Sequence, residues 1–444
     1  MRGAFRAAGR RGPTAPRDAP AQRMNDRLQP RSVLVFHPSV APFVQQAARA
    51  FFEADLLACF CTGLRANPTS LGQRAAVAAA RAAGVDLRRK LQRRAVTEVP
   101  PGFVRSFPWN ELFRLAVGAV DRTARWTDLA WERGERAFAR RVARELKPAL
   151  SAVYGYEFGC LTVFERARQL GLRRWYDLPA PEPAFVEGLL RAELERFPEL
   201  KTPYSRHTAS LEERRTAHRR AEWEAADLAI VASEFTRKSF AADGRDVSKI
   251  RVIPYGAPPP ARREAVLKPA RRSGPTRFVW AGTFSVRKGA HYLLQAWRTH
   301  DLGRLATLDV YGTVALPPSV LAPLPSGVTC HGPVSRDDLL AVFRDADALV
   351  FPTLCDGFGM VVTEAWSQGL PVITTDRAGA ADLLRSGENG FLVPAADAET
   401  LGARLAELSA APERLSALRE SALDTAARWQ WSDYRAALRR AVGA

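Results

Sequence analysis

The segment that decides the fold is Asp356-Gly-Phe-Gly-Met-Val-Val-Thr-Glu364, which follows the apolar run ending at Thr353. A strand that passes through a glycine-containing turn into a helix presents unpaired backbone N–H groups, and such groups suit a phosphate. Gly357 and Gly359 let the backbone approach a ligand closely. The two acidic residues place one carboxylate on the loop and one in the helix, on either side of that phosphate seat. The same spacing is compatible with a turn-opening aspartate and a solvated glutamate.

A second segment of this kind is Ala281-Gly-Thr-Phe-Ser-Val-Arg-Lys-Gly289, again between a predicted strand and a predicted helix. Arg287 and Lys288 stand beside the helix N-terminus, where their charges oppose the helix dipole unless an anion is bound. The arrangement therefore predicts an anion at this loop. The alternative is an exposed basic turn without a ligand, and the pattern taken alone favours it.

Around these two segments, short β-branched runs alternate with longer amphipathic segments, which is typical of parallel α/β units. Between the second and third runs, a mostly helical stretch extends from Leu71 to Lys147. The chain is therefore predicted to be an α/β protein of two doubly wound, Rossmann-like domains facing a cleft, at residues 31–256 (with a helical insertion) and 257–425. The predicted strands are Val33–His37, Leu56–Cys61, Ala152–Tyr156, Arg174–Asp177, Leu228–Ala232 and Arg251–Pro254, and then Phe278–Ala281, Thr307–Tyr311, Val328–His331, Ala348–Pro352, Val372–Thr374 and Phe391–Val393.

The composition is that of a folded protein, with 47% hydrophobic and 25% charged residues among 444. No run reaches the roughly 18 apolar residues that a membrane span needs. The five cysteines are scattered without a C-x-x-C pair, so we expect a reducing, cytoplasmic location and neither disulfides nor structural zinc. Residues 1–30 are predicted to form a disordered basic tail, because the first 23 contain six arginines and no apolar periodicity. A start-site error before Met24 and a functional arm both remain open.

The net charge of +18 is unevenly distributed. Residues 1–150 carry 27 basic and 12 acidic side chains, whereas residues 301–400 carry 5 basic and 13 acidic ones. A protein that only coats nucleic acid would not concentrate acid in this way, so no nucleic-acid partner is expected. Within residues 86–147, basic and aromatic residues interleave. This predicts either a surface helix with packed tryptophans or docking on an anionic membrane surface, and the residues concerned are Trp109, Trp126 and Trp131 with Arg122, Arg125, Arg133, Arg136, Arg140 and Arg141.

Three further candidates have mainly structural interpretations. His37 at the end of the first strand is more typical of a structural histidine than of one facing the cleft. Asp345-Ala-Asp347 has the spacing of a metal-binding D-x-D pair, but it closes a helix before a strand, so no metal is predicted. His291 is expected to be packed or exposed in the helix after Lys288.

Taken in this order, the segments resemble those of the GT-B glycosyltransferases of the large retaining family 4, the glycogen-synthase-like group. The resemblance is specific over about the C-terminal 200 residues and weaker before residue 250, where it depends on strand order and on the run Leu228-Ala-Ile-Val-Ala-Ser-Glu-Phe-Thr236. The segments that carry it are Arg251-Val-Ile-Pro-Tyr-Gly256, Gly282 to Gly289, His331-Gly-Pro-Val-Ser335, Ala346 to Thr375 and Glu388-Asn-Gly-Phe-Leu-Val393.

The resemblance implies specific roles for these residues. Lys288 looks like the lysine that binds the donor diphosphate, Glu364 like the acid that holds the nucleotide ribose, and Asp356 stands beside the sugar ring. The implied catalytic residues are Asp356, Lys288 and Glu364. The implied donor-binding residues are Gly282, Thr283, Arg287, Lys288, Gly332, Pro333, Asp356, Gly357, Phe358, Gly359, Met360, Val361, Val362 and Glu364.

The sequence departs from the family pattern at four places. Asp356 stands where the family usually has a longer glutamate, and Thr283 where it has an arginine, whose charge Arg287 is expected to replace. The N-terminal half shows Trp175-Tyr-Asp-Leu-Pro179 instead of a T-x-H-D stretch, and Phe36-His-Pro-Ser-Val-Ala-Pro-Phe43 instead of a glycine-rich turn. These departures leave the acceptor-side groups unassigned.

By this resemblance, we expect transfer of a sugar from a nucleoside-diphosphate donor to an acceptor hydroxyl with retention of anomeric configuration. No cofactor or metal is implied, because the nucleotide-sugar is a substrate. A helix at residues 426–444 is expected to cross back to the first domain, as it does in that family. The alternatives are a non-catalytic nucleotide-sugar-binding protein of the same fold and, less in keeping with the sequence, a phosphorylase.

Overall fold

The computed structural model describes residues 28–67, 73–74, 77–78, 91, 94–121, 123–267 and 274–444. They form two entirely parallel β-sheets with helices on both faces of each. The predicted tail lies almost wholly outside the described residues, as do Arg122 and much of the stretch from Leu71 to Arg93.

The first sheet has seven strands in the order β3-β2-β1-β4-β5-β6-β7. Its β1 pairs with both β2 and β4, so the strand order reverses there. In such sheets, ligands bind outside the carboxyl ends of the strands near the reversal. The strands are β1 (Val33–Phe36), β2 (Leu57–Thr62), β3 (Val104–Ser106), β4 (Ala152–Tyr156), β5 (Arg173–Leu178), β6 (Leu228–Val231) and β7 (Ile250–Val252).

The second sheet has six strands in the order β10-β9-β8-β11-β12-β13, with the reversal at β8. Because β8 and β11 are neighbours, the loops that follow them meet at one edge of the sheet. The strands are β8 (Thr276–Ala281), β9 (Ala306–Tyr311), β10 (Val328–Gly332), β11 (Ala348–Phe351), β12 (Val372–Thr375) and β13 (Gly390–Val393).

The helices connect these strands and cover the sheets. Short 3-10 turns occur at Pro101–Phe103, Pro198–Leu200, Val247–Lys249, Val286–Lys288, Leu302–Arg304 and Gly379–Leu383. The α-helices are α1 (Pro42–Glu53), α2 (Trp109–Val120), α3 (Arg125–Glu145), α4 (Cys160–Gln169), α5 (Pro183–Arg196), α6 (Pro203–Ala209), α7 (Glu212–Ala225), α8 (Glu234–Ala242), α9 (Arg263–Val266), α10 (Ala290–Thr299), α11 (Pro318–Leu321), α12 (Arg336–Asp345), α13 (Met360–Ser367), α14 (Ala398–Ala410), α15 (Pro412–Ala417), α16 (Arg419–Arg428) and α17 (Trp431–Val442).

The predicted fold class, two doubly wound domains, is confirmed. All twelve predicted strands are present, with ends that differ by a few residues at most. One strand, β3, was not predicted: it is only three residues long and lies inside the stretch interpreted as mostly helical. It pairs with β2 at the sheet edge, so pairing rather than an apolar pattern defines it.

The last helix, α17, packs against α1 of the first domain. The guanidinium of Arg435 donates to Glu53 (2.9 Å) and to Gln46 (2.6 Å), and the Ala257 N–H donates to the Trp429 carbonyl (2.9 Å). The domain limits at residues 256 and 425 stay predictions. Among the described residues, no helix combines the length and apolar character needed to cross a bilayer.

Candidate functional site

The loops that follow β8 and β11 are locked together at the carboxyl edge of the second sheet. The Leu354 N–H donates to the Arg287 carbonyl over 3.0 Å. Gly289 has a φ of +76°, and a Cβ there would lie 1.9 Å from the Pro352 carbonyl oxygen. Only glycine tolerates both the left-handed backbone and this approach. The two segments singled out in the sequence therefore form one site.

Lys288 is the buried cation of this site. Its ammonium forms an ion pair with Asp356 and lies 5.0 Å from the centre of the Phe351 ring, and its side chain is 15% exposed. Burial lowers the pKa of Lys288, and the neighbouring Arg287 charge lowers it further. A second anion beside this lysine would offset both effects.

Arg287 points its guanidinium back into the protein. Its Nη1 donates to the Cys355 carbonyl over 2.7 Å, and burial lowers the pKa of Arg287. Gly282 and Thr283, at the start of the same loop, are exposed. Arg287 thus holds the β11 loop in place beside Lys288 and adds a positive charge to it.

The segment from Gly357 to Val362 begins α13. Gly359 has a φ of +82°, and a Cβ there would lie 2.9 Å from the Phe351 ring. No side chain caps the N-terminus of α13, so its first N–H groups are not satisfied by a capping residue. Asp356 accepts a bond from the Phe358 N–H (3.3 Å), while Met360 and Val361 are half-buried at the helix start.

Glu364 lies in the second turn of α13 and pairs with Arg336, the first residue of α12, over 3.0 Å. Burial raises the pKa of Glu364, and the Arg336 charge opposes that rise. Sequence reasoning missed Arg336, although it directly follows the segment His331–Ser335 that carried part of the resemblance. The structure brings Lys288 and Asp356 into direct contact, whereas the carboxylate of Glu364 is engaged by α12.

Gly332 is the last residue of β10, two strands away from β8, and Pro333 follows it. The Gly332 carbonyl accepts from the Gly312 N–H (2.9 Å), and Pro333 is exposed. Beside them, His331 stacks on Tyr311 with ring centres 4.6 Å apart and an angle of 10°, and bonds Asp309 over 2.6 Å. This part of the edge offers a pair of stacked rings beside the Asp309 carboxylate.

The first domain contributes directly to the shape of the β11 loop. Ser233 and Thr236, at the start of α8, donate their hydroxyls to the Gly357 carbonyl at 2.7 and 3.2 Å. A Cβ on Gly357 would lie 2.0 Å from the Pro179 carbonyl oxygen, just after β5. The carboxyl edges of the two sheets therefore meet at Gly357. The run 228–236 carried the resemblance in the sequence, but nothing in it indicated this contact.

A second buried cluster surrounds Asp177, within the Trp175–Pro179 stretch that departs from the family pattern. Tyr154 and Tyr255 donate their hydroxyls to its carboxylate at 2.5 and 3.3 Å. Burial raises the pKa of Asp177 to about 7. Tyr255 lies in the crossing between the domains, and its ring centre is 5.4 Å from that of Phe358 in the β11 loop. The cluster around Asp177 therefore packs against the loop that contains Asp356.

The remaining sequence candidates have structural contacts. His37 accepts the Ser39 N–H (2.9 Å) and packs edge-on against Tyr156, and burial lowers the pKa of His37 to about 4. Asp347 accepts the Arg277 N–H (2.8 Å), and His291 bonds Glu193 over 3.0 Å. No cluster of potential metal ligands occurs among the described residues.

Solved structures define the class of fold to which this arrangement belongs. Anabaena HepE, solved in complex with UDP and glucose, superposes with a TM-score of 0.60 over 93% of this chain and 99% of its own, at 15% identity. Sucrose-phosphate synthase from Thermosynechococcus elongatus gives 0.59 over 91% and 96%, at 17% identity. The chain therefore has the GT-B fold, two Rossmann-like domains with facing carboxyl edges.

Residues 275–411, which contain both loops of the site, match the family described as Glycosyl transferases group 1. The D-inositol 3-phosphate glycosyltransferase of Thermobispora bispora is 36% identical over 121 residues, 26% of this chain and 28% of that protein. The enzyme of the same name from Xylanimonas cellulosilytica is 29% identical over 219 residues, 44% of this chain and 51% of its own. The chain thus aligns with about a quarter to a half of the length of these curated relatives.

Proposed function

We propose that this protein is a retaining glycosyltransferase of family 4 that transfers a sugar from a nucleoside-diphosphate donor to an acceptor hydroxyl. The observation that carries the proposal is the mostly buried Lys288, paired with Asp356 in the loop that leads into the uncapped α13. Arg287 adjoins Lys288 in the chain and holds the β11 loop through the Cys355 carbonyl, and Asp356 is the carboxylate that pairs with the lysine. A diphosphate supplies the negative charge that this arrangement favours.

The chemistry follows from how charge develops during transfer. As the bond from the anomeric carbon to the diphosphate breaks, negative charge grows on the leaving oxygen and positive charge on the sugar. Lys288 and the first N–H groups of α13 stabilise the leaving diphosphate. Asp356, next to the lysine, orients the sugar, and Glu364 binds the ribose hydroxyls of the nucleotide. The Ser233 and Thr236 hydroxyls hold the loop in the geometry that this step needs.

The comparisons support this reading and point to the donor class. The curated relatives are named as glycosyltransferases, and HepE was solved with UDP and glucose in one structure and with UDP-glucose in another. We propose a nucleotide-sugar donor, no additional cofactor and a cytoplasmic location, where the five described cysteines stay free.

Turnover of a panel of nucleotide sugars tests the proposal. Release of a nucleoside diphosphate that depends on an added hydroxyl acceptor supports transfer, and the proton coupling of the product's anomeric centre reports whether configuration is retained. Tight nucleotide-sugar binding without release of diphosphate, under any acceptor, would instead establish the non-catalytic binding protein.

A further inference from the structure

An exposed apolar surface covers the helical pair α2–α3 of the first domain. Helix α2 has no buried residue, although most of its twelve residues are apolar. Trp109 is 79% exposed, Phe113 60% and Val120 81%, and Trp126 on α3 is 67% exposed. Single exposed apolar side chains are common, but four large ones on a single helix pair indicate a candidate interaction surface.

The inner face of α3 is fixed to the domain by a buried charge network. Asp128 and Glu132 pair with Arg215 of α7 at 2.6 and 3.2 Å, and Glu132 also pairs with Arg214. Trp131, which the sequence grouped with Trp109 and Trp126, packs against Phe158, with the ring centres 4.7 Å apart. The inner face of α3 therefore anchors the helix to the domain, and its outer face is exposed to solvent in a fixed position.

The charges of α2–α3 are sorted between the two faces. The acidic side chains are engaged within the protein: Glu111 with Arg114 (2.7 Å), Asp121 with Thr127 (3.0 Å) and Glu145 with Arg105. Burial raises the pKa of Glu135 to about 8, which keeps it neutral. The exposed basic side chains of α3 are Arg125, Arg133, Arg136, Arg140, Arg141 and Arg144, and of these Arg136 also pairs with Glu132 over 2.6 Å.

Apolar and basic side chains meet in one groove between the helices. It has a volume of about 510 Å³ and is lined by Phe113 together with Arg133, Arg136 and Arg140. Arg133, Arg140 and Arg144 recur at helical spacing along one face of α3. Exposed tryptophan and phenylalanine on α2 beside a row of arginines on α3 fit an interface of acyl chains and anionic headgroups.

We propose that the α2–α3 surface docks the protein on an anionic lipid bilayer. Charge complementarity selects this occupant: a second copy would bring the same arginines face to face, and a soluble polyanion would leave the tryptophans in water. Trp109 and Phe113 insert at the headgroup boundary while the arginines bind lipid phosphates. Since the Phe107 N–H just before α2 donates to the Thr62 carbonyl at the end of β2 (2.8 Å), docking also brings the carboxyl edge of the first sheet close to the lipid.

Co-sedimentation of the full chain with vesicles tests the proposal without any donor present, so its outcome is independent of the proposed transfer reaction. We expect partitioning into vesicles of equal phosphatidylcholine and phosphatidylglycerol, little into phosphatidylcholine alone, and a loss of binding at high salt. The Arg133→Gln/Arg140→Gln variant should bind about thirty-fold more weakly, because each of the two basic residues contributes about a fivefold gain in affinity near an anionic surface. The Trp109→Ala/Phe113→Ala variant should bind more weakly at every salt concentration.

The matched control is Arg304→Gln/Arg385→Gln, which removes the same charge at exposed positions of the second domain. It should bind vesicles like the parent chain. The proposal is overturned if this control loses as much binding as the α3 variant, if neutral and anionic vesicles bind equally, or if the parent chain binds neither. Self-association in solution that the tryptophan variant abolishes would assign the surface to a second copy. Unchanged melting temperatures exclude unfolding as the cause.

Discussion

Replacing Asp356 by asparagine separates the two tasks that we assign to the β11 loop. Asparagine keeps an oxygen that accepts the Phe358 N–H, so the turn survives, but it removes the charge paired with Lys288. A diphosphate then no longer competes with that carboxylate for the lysine. We expect the affinity for a free nucleoside diphosphate to stay unchanged or to rise by up to about tenfold, the lower end of the range for a hydrogen bond to a charged group. Sugar transfer should be lost.

Lys288→Ala gives the opposite pattern for the nucleotide. The lysine is mostly buried, so solvent screens its contact with a diphosphate only weakly. Its removal should weaken diphosphate binding by about 1.5–3 kcal/mol, the range for a hydrogen bond to a charged group. Lys201→Ala, at an exposed position outside both loops, is the control and should bind like the parent chain.

Titration calorimetry with uridine, guanosine and adenosine diphosphates, followed by turnover with the matching nucleotide sugar, measures both effects. The reasoning is refuted if Asp356→Asn loses nucleotide affinity as severely as Lys288→Ala. That result would mean that the charge of Asp356 maintains the loop rather than orienting the sugar.

Three further predictions concern the surroundings of the loop. Glu364→Gln should weaken nucleoside diphosphate binding by about 1.5 kcal/mol but leave inorganic pyrophosphate binding unchanged, because pyrophosphate lacks a ribose; an equal loss for both ligands in calorimetry contradicts the ribose assignment. Ser233 and Thr202 both cap a helix N-terminus, a contribution of about 1 kcal/mol each, but only Ser233 also donates to the Gly357 carbonyl. Ser233→Ala should therefore lower the free energy of unfolding by more than Thr202→Ala does. Equal losses in chemical denaturation would show that the cross-domain bond adds nothing. Burial raises the pKa of Asp177 to about 7 in the folded state, so between about pH 4 and 7 the folded protein holds a proton that the unfolded chain has lost. The free energy of unfolding should therefore fall by about 1.4 kcal/mol per pH unit as the pH rises through this range, and Asp177→Asn should remove that slope. An Asp177→Asn variant with the same pH profile as the parent chain would refute this prediction.

The sequence by itself determined the two-sheet architecture and singled out two loops as candidate ligand-binding segments. Parallel strands that are buried on both faces have short, continuous runs of β-branched residues, which the sequence shows directly. The segments between these runs have the length and amphipathic pattern of helices. The glycine-flanked turns at 282–289 and 356–359 follow strands, and loops after parallel strands lie at the carboxyl edge of a sheet. The structure brings these two loops together there, and their ligand remains a proposal. The three-residue β3 escaped because its pairing partner, not its own composition, makes it a strand.

Only the tertiary structure decided how those loops are held and charged. The ion pair of Lys288 with Asp356 joins residues 68 positions apart, and the bond from Ser233 to Gly357 crosses between domains. Likewise, the sequence left open whether the tryptophans of residues 109–131 pack or are exposed. The three tryptophans differ, because Trp131 packs against Phe158 while Trp109 and Trp126 are exposed to solvent. Contacts between residues far apart in the sequence depend on how the helices and strands pack together, and the local sequence pattern around each residue does not specify that packing.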